Sequence, residues 1–321
     1  MDTESRKQTY IDIAKRYYIN GESQEDIAQA TNMSRSNVSR ILKKCVEDGV
    51  VEIVVHDVIS EKPLTAHKLE LMYGLKNVII VPNGSSTNSL NRNIGERLAM
   101  YLGSILKDNM LVGVSRGRAC YYTGKSLSNK KNIRADVIQL QGSVSSFTSS
   151  DEGSLLISLF ASKLNGNGYI VNAPLMVKSK RTREDLVNDD MLKPVMKKFY
   201  ELDVAIFEIE HPRLHVSDYS KQEWLSRADI LQLTEVGVVA SVCGHYFNEN
   251  GISCNVGIND RVIAISPNQL RSINYSIGIA AGKHSLSAAL SILKSGLVNV
   301  LVVDEDLAVQ LEAVQLEGQV L

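Results

Sequence analysis

Beyond Gly74 the chain repeats one alternation: a short β-branched run, a turn, then a helical segment. The runs lie at 78–81, 111–114, 135–140, 169–172, 204–209, 261–265, 276–280 and 298–303, with helical patterns between them, as at 93–106, 155–164 and 285–293. Strands separated by helices cannot pair as hairpins. Each must cross over to its neighbour, which gives a mostly parallel sheet with helices on both faces. The expected fold class is α/β, a doubly wound mostly parallel sheet. In such a sheet ligands bind outside the carboxyl ends of the strands, near the point where the strand order reverses.

The first 55 residues have a different texture. A helix is expected over 6–18, with Ile11, Ile13, Ala14, Tyr17 and Tyr18 available to pack beneath two shorter helices. Ser23 with Asp26 forms a capping box, Ile27 and Ala28 supply the buried side of the first of these, and Thr31-Asn32 ends it. Asn tolerates the left-handed backbone that a sharp turn needs, and Met33 beyond it can be tucked under both helices. Ser34 then caps the second, whose Val38, Ile41 and Leu42 form one apolar stripe. Arg35, Ser36, Asn37, Ser39, Arg40, Lys43 and Lys44 fill its other faces, and no acidic residue falls between 34 and 44. Short polar groups that reach base edges and cations that reach phosphates are what a major groove requires. The helix alone could be a solvated amphipathic one; the capped helix and Asn-centred turn before it make the unit a helix-turn-helix.

A turn at 47–49 and a β-branched run at 50–55 suggest one arm of a wing. The DNA-binding domain is therefore placed at 1–55 and a linker at 56–74. The linker carries a helix from Pro63 to about Tyr73, with Leu64, Leu69, Leu71 and Met72 as its apolar positions. That helix reads either as a contact between subunits or as a spacer packed on the larger domain. Residues 75–321 form the effector-binding and oligomerisation domain.

Composition enters mainly by exclusion. Hydrophobic content of 44% and charged content of 22% rule out global disorder, and a net charge of -1 fits a small basic head on a near-neutral body. The N-terminus has no apolar core after its charges, so no signal peptide is expected, and no run approaches the ~18 apolar residues of a membrane span. Cys45, Cys120, Cys243 and Cys254 are dispersed, which fits free thiols in a reducing cytoplasm. His211 and His215 have metal-like spacing, but Pro212 between them argues against one helix presenting both. No metal and no cofactor are expected.

Two strand-to-helix loops are candidate ligand sites. In the first, Gly113, Ser115, Arg116, Gly117 and Arg118 combine small residues, guanidinium groups and a helix start, the makings of a phosphate or carboxylate cradle. In the second, Gly282, Lys283 and Ser285 offer a cation and a hydroxyl. The plain alternatives are a tight turn with surface arginines for the first, and a helix cap at Ser285 with a solvated Lys283 for the second. No nucleophile, base and orienting acid assemble at readable spacing, so catalysis is not expected.

The segments 16–18, 23–28 and 34–42 resemble the N-terminal head of the SorC family of bacterial transcriptional regulators, also called the SorC/DeoR type. The segments 113–117, 242–247, 258–263 and 296–305 are similar to its effector-binding domain. The resemblance implies a homo-oligomer, commonly a tetramer. It also implies a C-terminal domain resembling sugar-phosphate isomerases, which binds a phosphorylated sugar or related metabolite without turning it over. Relative to the family pattern, Arg116 stands in place of Trp, Ser241 in place of an Asp before the Cys-Gly motif, and Ser285 in place of Lys. One acid fewer and more arginines imply a pocket of positive potential and a strongly anionic ligand.

The expected protein is thus a cytoplasmic, DNA-binding regulator of a carbohydrate catabolic operon. Its expected partners are double-stranded operator DNA, a small anionic sugar-phosphate-like effector and further copies of itself, as a homodimer or homotetramer; a membrane is not among them. The competing readings are an isomerase-like enzyme with a DNA-binding head and a constitutive DNA-binding scaffold.

Overall fold

In the head, α1 (Thr3–Tyr18), α2 (Gln24–Thr31) and α3 (Arg35–Glu47) pack around one small core. That core is built from Ile13, Ala14, Ile27, Ala28, Val38, Ile41, Leu42 and Cys45, with Met33 and Val51 packed against it. The Ser23 hydroxyl accepts from the Asp26 amide at 3.1 Å and the Asp26 carboxylate accepts in return, so the capping box is formed. Asn32, at φ 53°, ends α2 in the left-handed region. Of the expected tyrosine contacts, Tyr17 packs on the core while Tyr18 is exposed. This computed structural model describes residues 3–48, 50–51, 63–128, 133–144, 153–212, 225–254 and 257–318. Most of the expected wing arm at 50–55 lies outside those residues.

The chain divides into two units, 1–61 and 62–321. The second opens with α4 (Leu64–Tyr73), β1 (Asn77–Val81), α5 (Thr87–Ile105), β2 (Leu111–Val114), α6 (Arg118–Ser126), β3 (Asp136–Gln139), α7 (Gly153–Leu164) and β4 (Gly168–Tyr169). It continues through α8 (Lys180–Val187), α9 (Lys193–Lys197), β5 (Val204–Glu208), α10 (Arg227–Glu235), β6 (Val238–Val242) and β7 (His245–Asn248). It closes with α11 (Pro267–Ser272), β8 (Tyr275–Ile279), α12 (Leu286–Ser295), β9 (Val300–Asp304) and α13 (Glu305–Gly318). Seven strands pair in the order β1-β9-β8-β5-β2-β3-β4, all parallel, and β6 and β7 form a separate antiparallel hairpin.

Alternate residues of each strand feed two cores, one per face. Val300 and Val302 join Val112, Val114 and Ile206 beneath α5, α6 and α7, whereas Leu301 and Val303 join Ala205 and Phe207 beneath α12 and α13. The linker helix α4 is part of this unit: Ala66 and Leu69 are buried, the Tyr73 hydroxyl donates to the Leu311 carbonyl at 3.1 Å, and the Glu70 carboxylate accepts from the Val78 amide at 2.7 Å.

From β2 the chain winds one way through β3 to β4, and from β5 the other way through β8 to β9. The reversal falls between β2 and β5, so their carboxyl ends diverge and leave a crevice there. Two expected strands are corrected. The run at 261–265 is not a sheet strand: Asn259–Arg261 is a 3-10 turn, and Val262 and Ala264 make only isolated bridges to Met176 and Gln141. Its apolar residues are buried as a connection, and burial rather than pairing explains their type. The run at 169–172 contributes only Tyr169, because β4 is a two-residue edge strand at Gly168–Tyr169.

Candidate DNA-reading helix and effector crevice

α3 starts cleanly because Ser34, in extended backbone, accepts the Asn37 amide at 3.2 Å through its hydroxyl. Such a cap contributes about 1 kcal/mol. With Val38, Ile41 and Leu42 committed to the core, Ser34, Arg35, Ser36, Ser39, Arg40, Lys43 and Lys44 are exposed and Asn37 is half-buried. The first turn carries no acidic residue. Arg40 donates to the Asn37 side-chain oxygen at 2.8 Å, and Arg35 lies 3.9 Å from Glu25 in an exposed pair, an interaction weak enough for a phosphate to displace. The eight DNA-contact residues expected from the sequence therefore lie along one short capped helix.

The effector-site residues do not all meet. Ser115 and Arg116, from the end of β2, and Ser241, from β6, line one narrow crevice, open to solvent, at the strand-order reversal. Glu208 and Glu210, from the end of β5, line it too, as do Gln141, Cys243 and Tyr246. Ser115 stitches β2 to β5: its amide donates to the Ile206 carbonyl at 2.9 Å and its hydroxyl accepts from the Glu208 amide at 3.3 Å. The β6–β7 hairpin reaches the crevice through a two-residue turn, Cys243 at φ 48° and Gly244 at φ 80°, the turn type that matches strand twist.

Gly113 lies elsewhere in role. It is buried inside β2, and a Cβ there would come within 2.3 Å of the Leu140 side chain, so it serves sheet packing. Arg118 turns to α5, where it donates to the Asn88 side-chain oxygen at 2.5 Å. Gly282, Lys283 and Ser285 come after β8 and do not line the crevice; Lys283 is exposed. Ser285 does not cap α12, since its hydroxyl donates to the Ala281 carbonyl at 2.7 Å.

Both expected anion cradles already hold a carboxylate of the chain. At the start of α6, Glu208 accepts from the Ala119 amide at 2.9 Å, sitting in the space that Gly117 leaves by having no side chain. Ahead of α12, the Gly282 amide donates to Asp304 at 2.5 Å, and the other Asp304 oxygen accepts from the Leu307 amide at the start of α13. The crevice itself pairs one guanidinium, Arg116, with two carboxyl groups, Arg116 lying 3.3 Å from Glu210. The expected positive potential is therefore corrected: the acid missing at 241 is matched by acids at 208 and 210.

Burial and the neighbouring Glu210 push the Glu208 carboxyl up to about 7, against the amides of Ala119 and Cys120 and the Arg116 charge, which favour ionisation. Burial also pushes the Cys243 thiol up and holds the His245 ring, which is bonded to the Ile265 carbonyl at 3.1 Å, down to about 4. A carboxyl with an ordinary value of 4.5 that titrates near 7 when folded binds more protons in the folded state between those limits. Its ionisation thus costs stability as pH rises through that window. Glu208→Gln keeps an acceptor for the Ala119 amide but cannot ionise. Its melting temperature relative to wild type should rise between pH 5 and pH 8 by about 3 °C or more, read by calorimetry. An equal difference at both pH values would contradict the assignment.

Glu208 and Glu210 were missed from sequence, although their i, i+2 spacing at a strand's carboxyl end was readable and puts both side chains on one face. Among the described residues no cluster could hold a metal ion; His215 lies outside them, so the spacing that Pro212 argued against as a metal pair with His211 is not described. Among those residues no helix is long and apolar enough to cross a membrane.

A capped helix-turn-helix on a unit of its own and a doubly wound domain with a crevice at its strand-order reversal are the parts of a DNA-binding protein that carries a ligand-binding domain. Residues 20–52 match the winged helix-turn-helix DNA-binding family, and residues 60–311 match the family described as "Putative sugar-binding domain". The chain belongs to that sugar-binding family and is a SorC/DeoR-type transcriptional regulator. It is similar to the deoxyribonucleoside regulator of Bacillus subtilis (27% identical over 314 residues, 96% of this chain and 98% of that protein). It is also similar to the sorbitol operon regulator of Klebsiella pneumoniae (23% over 301 residues, 93% and 95%). The crystal structure of the latter at full length shares the fold, with a TM-score of 0.77 at 22% identity over 97% of this chain and 99% of that one. These relatives are transcriptional regulators, not enzymes.

Proposed function

We propose that the chain binds operator DNA through α3 and that a small hydroxyl-rich metabolite, a sugar or close relative, sets its operator affinity from the crevice between β2 and β5. The regulated genes would be a catabolic operon for that metabolite, as the names of the sorbitol and deoxyribonucleoside regulators suggest by analogy. The observation that carries the reading is the placement of Ser115, Arg116 and Ser241 around one crevice at the strand-order reversal of a domain whose family binds sugars. Arg35, Ser36, Asn37, Ser39 and Arg40 would read or position DNA, with Ser34 capping their helix and Lys43 and Lys44 on phosphates. The working form is a homodimer or homotetramer in the cytoplasm, its paired heads spaced differently with and without effector, so that differential affinity for the two arrangements does the switching.

A phosphorylated effector, expected from the loop arginines, would have to carry its phosphate away from the start of α6 and from the loop ahead of α12, where Glu208 and Asp304 already accept the amides. The test is a thermal-shift panel of free and phosphorylated sugars on the full chain, coupled to turnover assays on every binder. The expected result is a raised melting temperature for a subset, each recovered unchanged. Conversion of a binder would make the domain an enzyme, and a flat response to the whole panel would leave only a constitutive scaffold.

A further inference from the structure

The crevice has an excess of groups that want hydrogen-bond donors. Glu210 has one oxygen toward Arg116 at 3.3 Å, and its side chain remains 45% exposed to the open space. Glu208 faces the same space. Two further polar side chains line the crevice, Gln141 at 4% exposure and Ser241 at 6%. The backbones of both are engaged, Gln141 in a bridge to Ala264 and Ser241 in paired bonds to Glu210. The Gln141 carboxamide and the Ser241 hydroxyl, by contrast, find no partner among the described residues. Buried polar side chains are nearly always bonded, so a buried amide and a buried hydroxyl facing one solvent-connected space point to a ligand that completes them.

The geometry points to the class of that ligand: we infer that Glu208 and Glu210, with Gln141 and Ser241, form a subsite for an uncharged, hydroxyl-bearing end of the effector. The inference rests on the reading that the effector binds in this crevice, and it adds which end enters. Carboxylates accept only, and adjacent hydroxyls of a sugar or polyol donate to them while their own oxygens accept from Arg116 and the Gln141 amide. A phosphate ester near neutral pH offers acceptors and carries negative charge, so beside two carboxyl groups it meets repulsion and finds few donors. Burial and mutual repulsion already hold the Glu208 carboxyl up near 7, and hydroxyl donors would stabilise its ionised form. The pair therefore selects by charge as well as by hydrogen bonding, rejecting an anion where it accepts a diol.

The test uses matched probes on the full chain: ribose with ribose 5-phosphate, glucose with glucose 6-phosphate, and sorbitol with sorbitol 6-phosphate, by calorimetric titration at pH 7.5. In wild type the expected result is that a free sugar or polyol binds, or that a phosphate ester binds with its hydroxyl end essential. In the first case Glu210→Gln should weaken the free sugar or polyol at least 10-fold relative to its ester; in the second it should weaken the ester itself at least 10-fold. Gln141→Leu separates ligand reading from structure. Its buried amide has no described partner, so the variant should melt no lower than wild type yet lose at least 10-fold in affinity. If esters alone bind and Glu210→Gln leaves every affinity unchanged, the subsite is overturned while the effector reading stands. If no probe binds wild type, both fail together.

Discussion

Replacing Arg35 and Arg40 together by alanine is expected to weaken operator binding at least 100-fold while leaving the head folded. Both side chains are exposed and neither contributes to the core of Ile13, Ile27, Val38 and Leu42, so their loss should change stability by no more than about 0.5 kcal/mol. Each guanidinium that pairs with a base edge contributes about 1–3 kcal/mol of discrimination, and each that neutralises a phosphate steepens the salt dependence. In a two-fold assembly both heads lack the same two cations, so the effect doubles. Anisotropy titrations at two salt concentrations check both parts, since the double variant should show a weaker constant and a shallower salt slope. Unchanged binding would remove α3 from the groove.

The second large effect is expected at Gly117. Its φ of 140° is a conformation that side chains rarely adopt, and a Cβ there would lie 2.1 Å from a Glu208 carboxylate oxygen. Gly117→Ala must both strain the loop and expel Glu208 from the start of α6, leaving the Ala119 amide without its acceptor. The expected loss is roughly 2–4 kcal/mol, or about 5–15 °C in melting temperature for a unit of this size. The expelled carboxyl should also distort the crevice and abolish effector binding. Gly257→Ala, where a Cβ would meet nothing within 4 Å, is the control and should melt with wild type. Equal melting of the two variants would show that Glu208 does not fill that space.

What was legible in the sequence was whatever depends on neighbours a few residues apart. The Ser23–Asp26 box, the Asn32 turn, the Ser34 cap and the stripe of Val38, Ile41 and Leu42 are local, and each is present. The β-branched runs of β1, β2, β3, β5, β8 and β9 were likewise readable, because a strand buried on both faces must be apolar throughout. The crevice was only half legible. Ser115 and Arg116 sit on a loop whose glycines announce it, but Glu208 joins them only because β5 pairs with β2 across more than ninety residues of sequence. Without that pairing the helix start at α6 reads as an empty anion cradle, when it is already filled. The β6–β7 hairpin was hidden for another reason. Its turn uses Cys243 in a conformation usually taken by Asn or Gly, so the ordinary turn signal is missing. The run at 261–265 shows the converse, β-branched composition arising from burial alone.

Occupancy of the crevice between β2 and β5 is expected to change the affinity of α3 for DNA. The most direct test is an anisotropy titration of the full chain on an operator duplex, repeated with a saturating crevice ligand at fixed salt. The expected result is a change of at least 10-fold in the apparent dissociation constant, abolished in Gly117→Ala. An unchanged constant, with calorimetry showing the ligand bound, would contradict it.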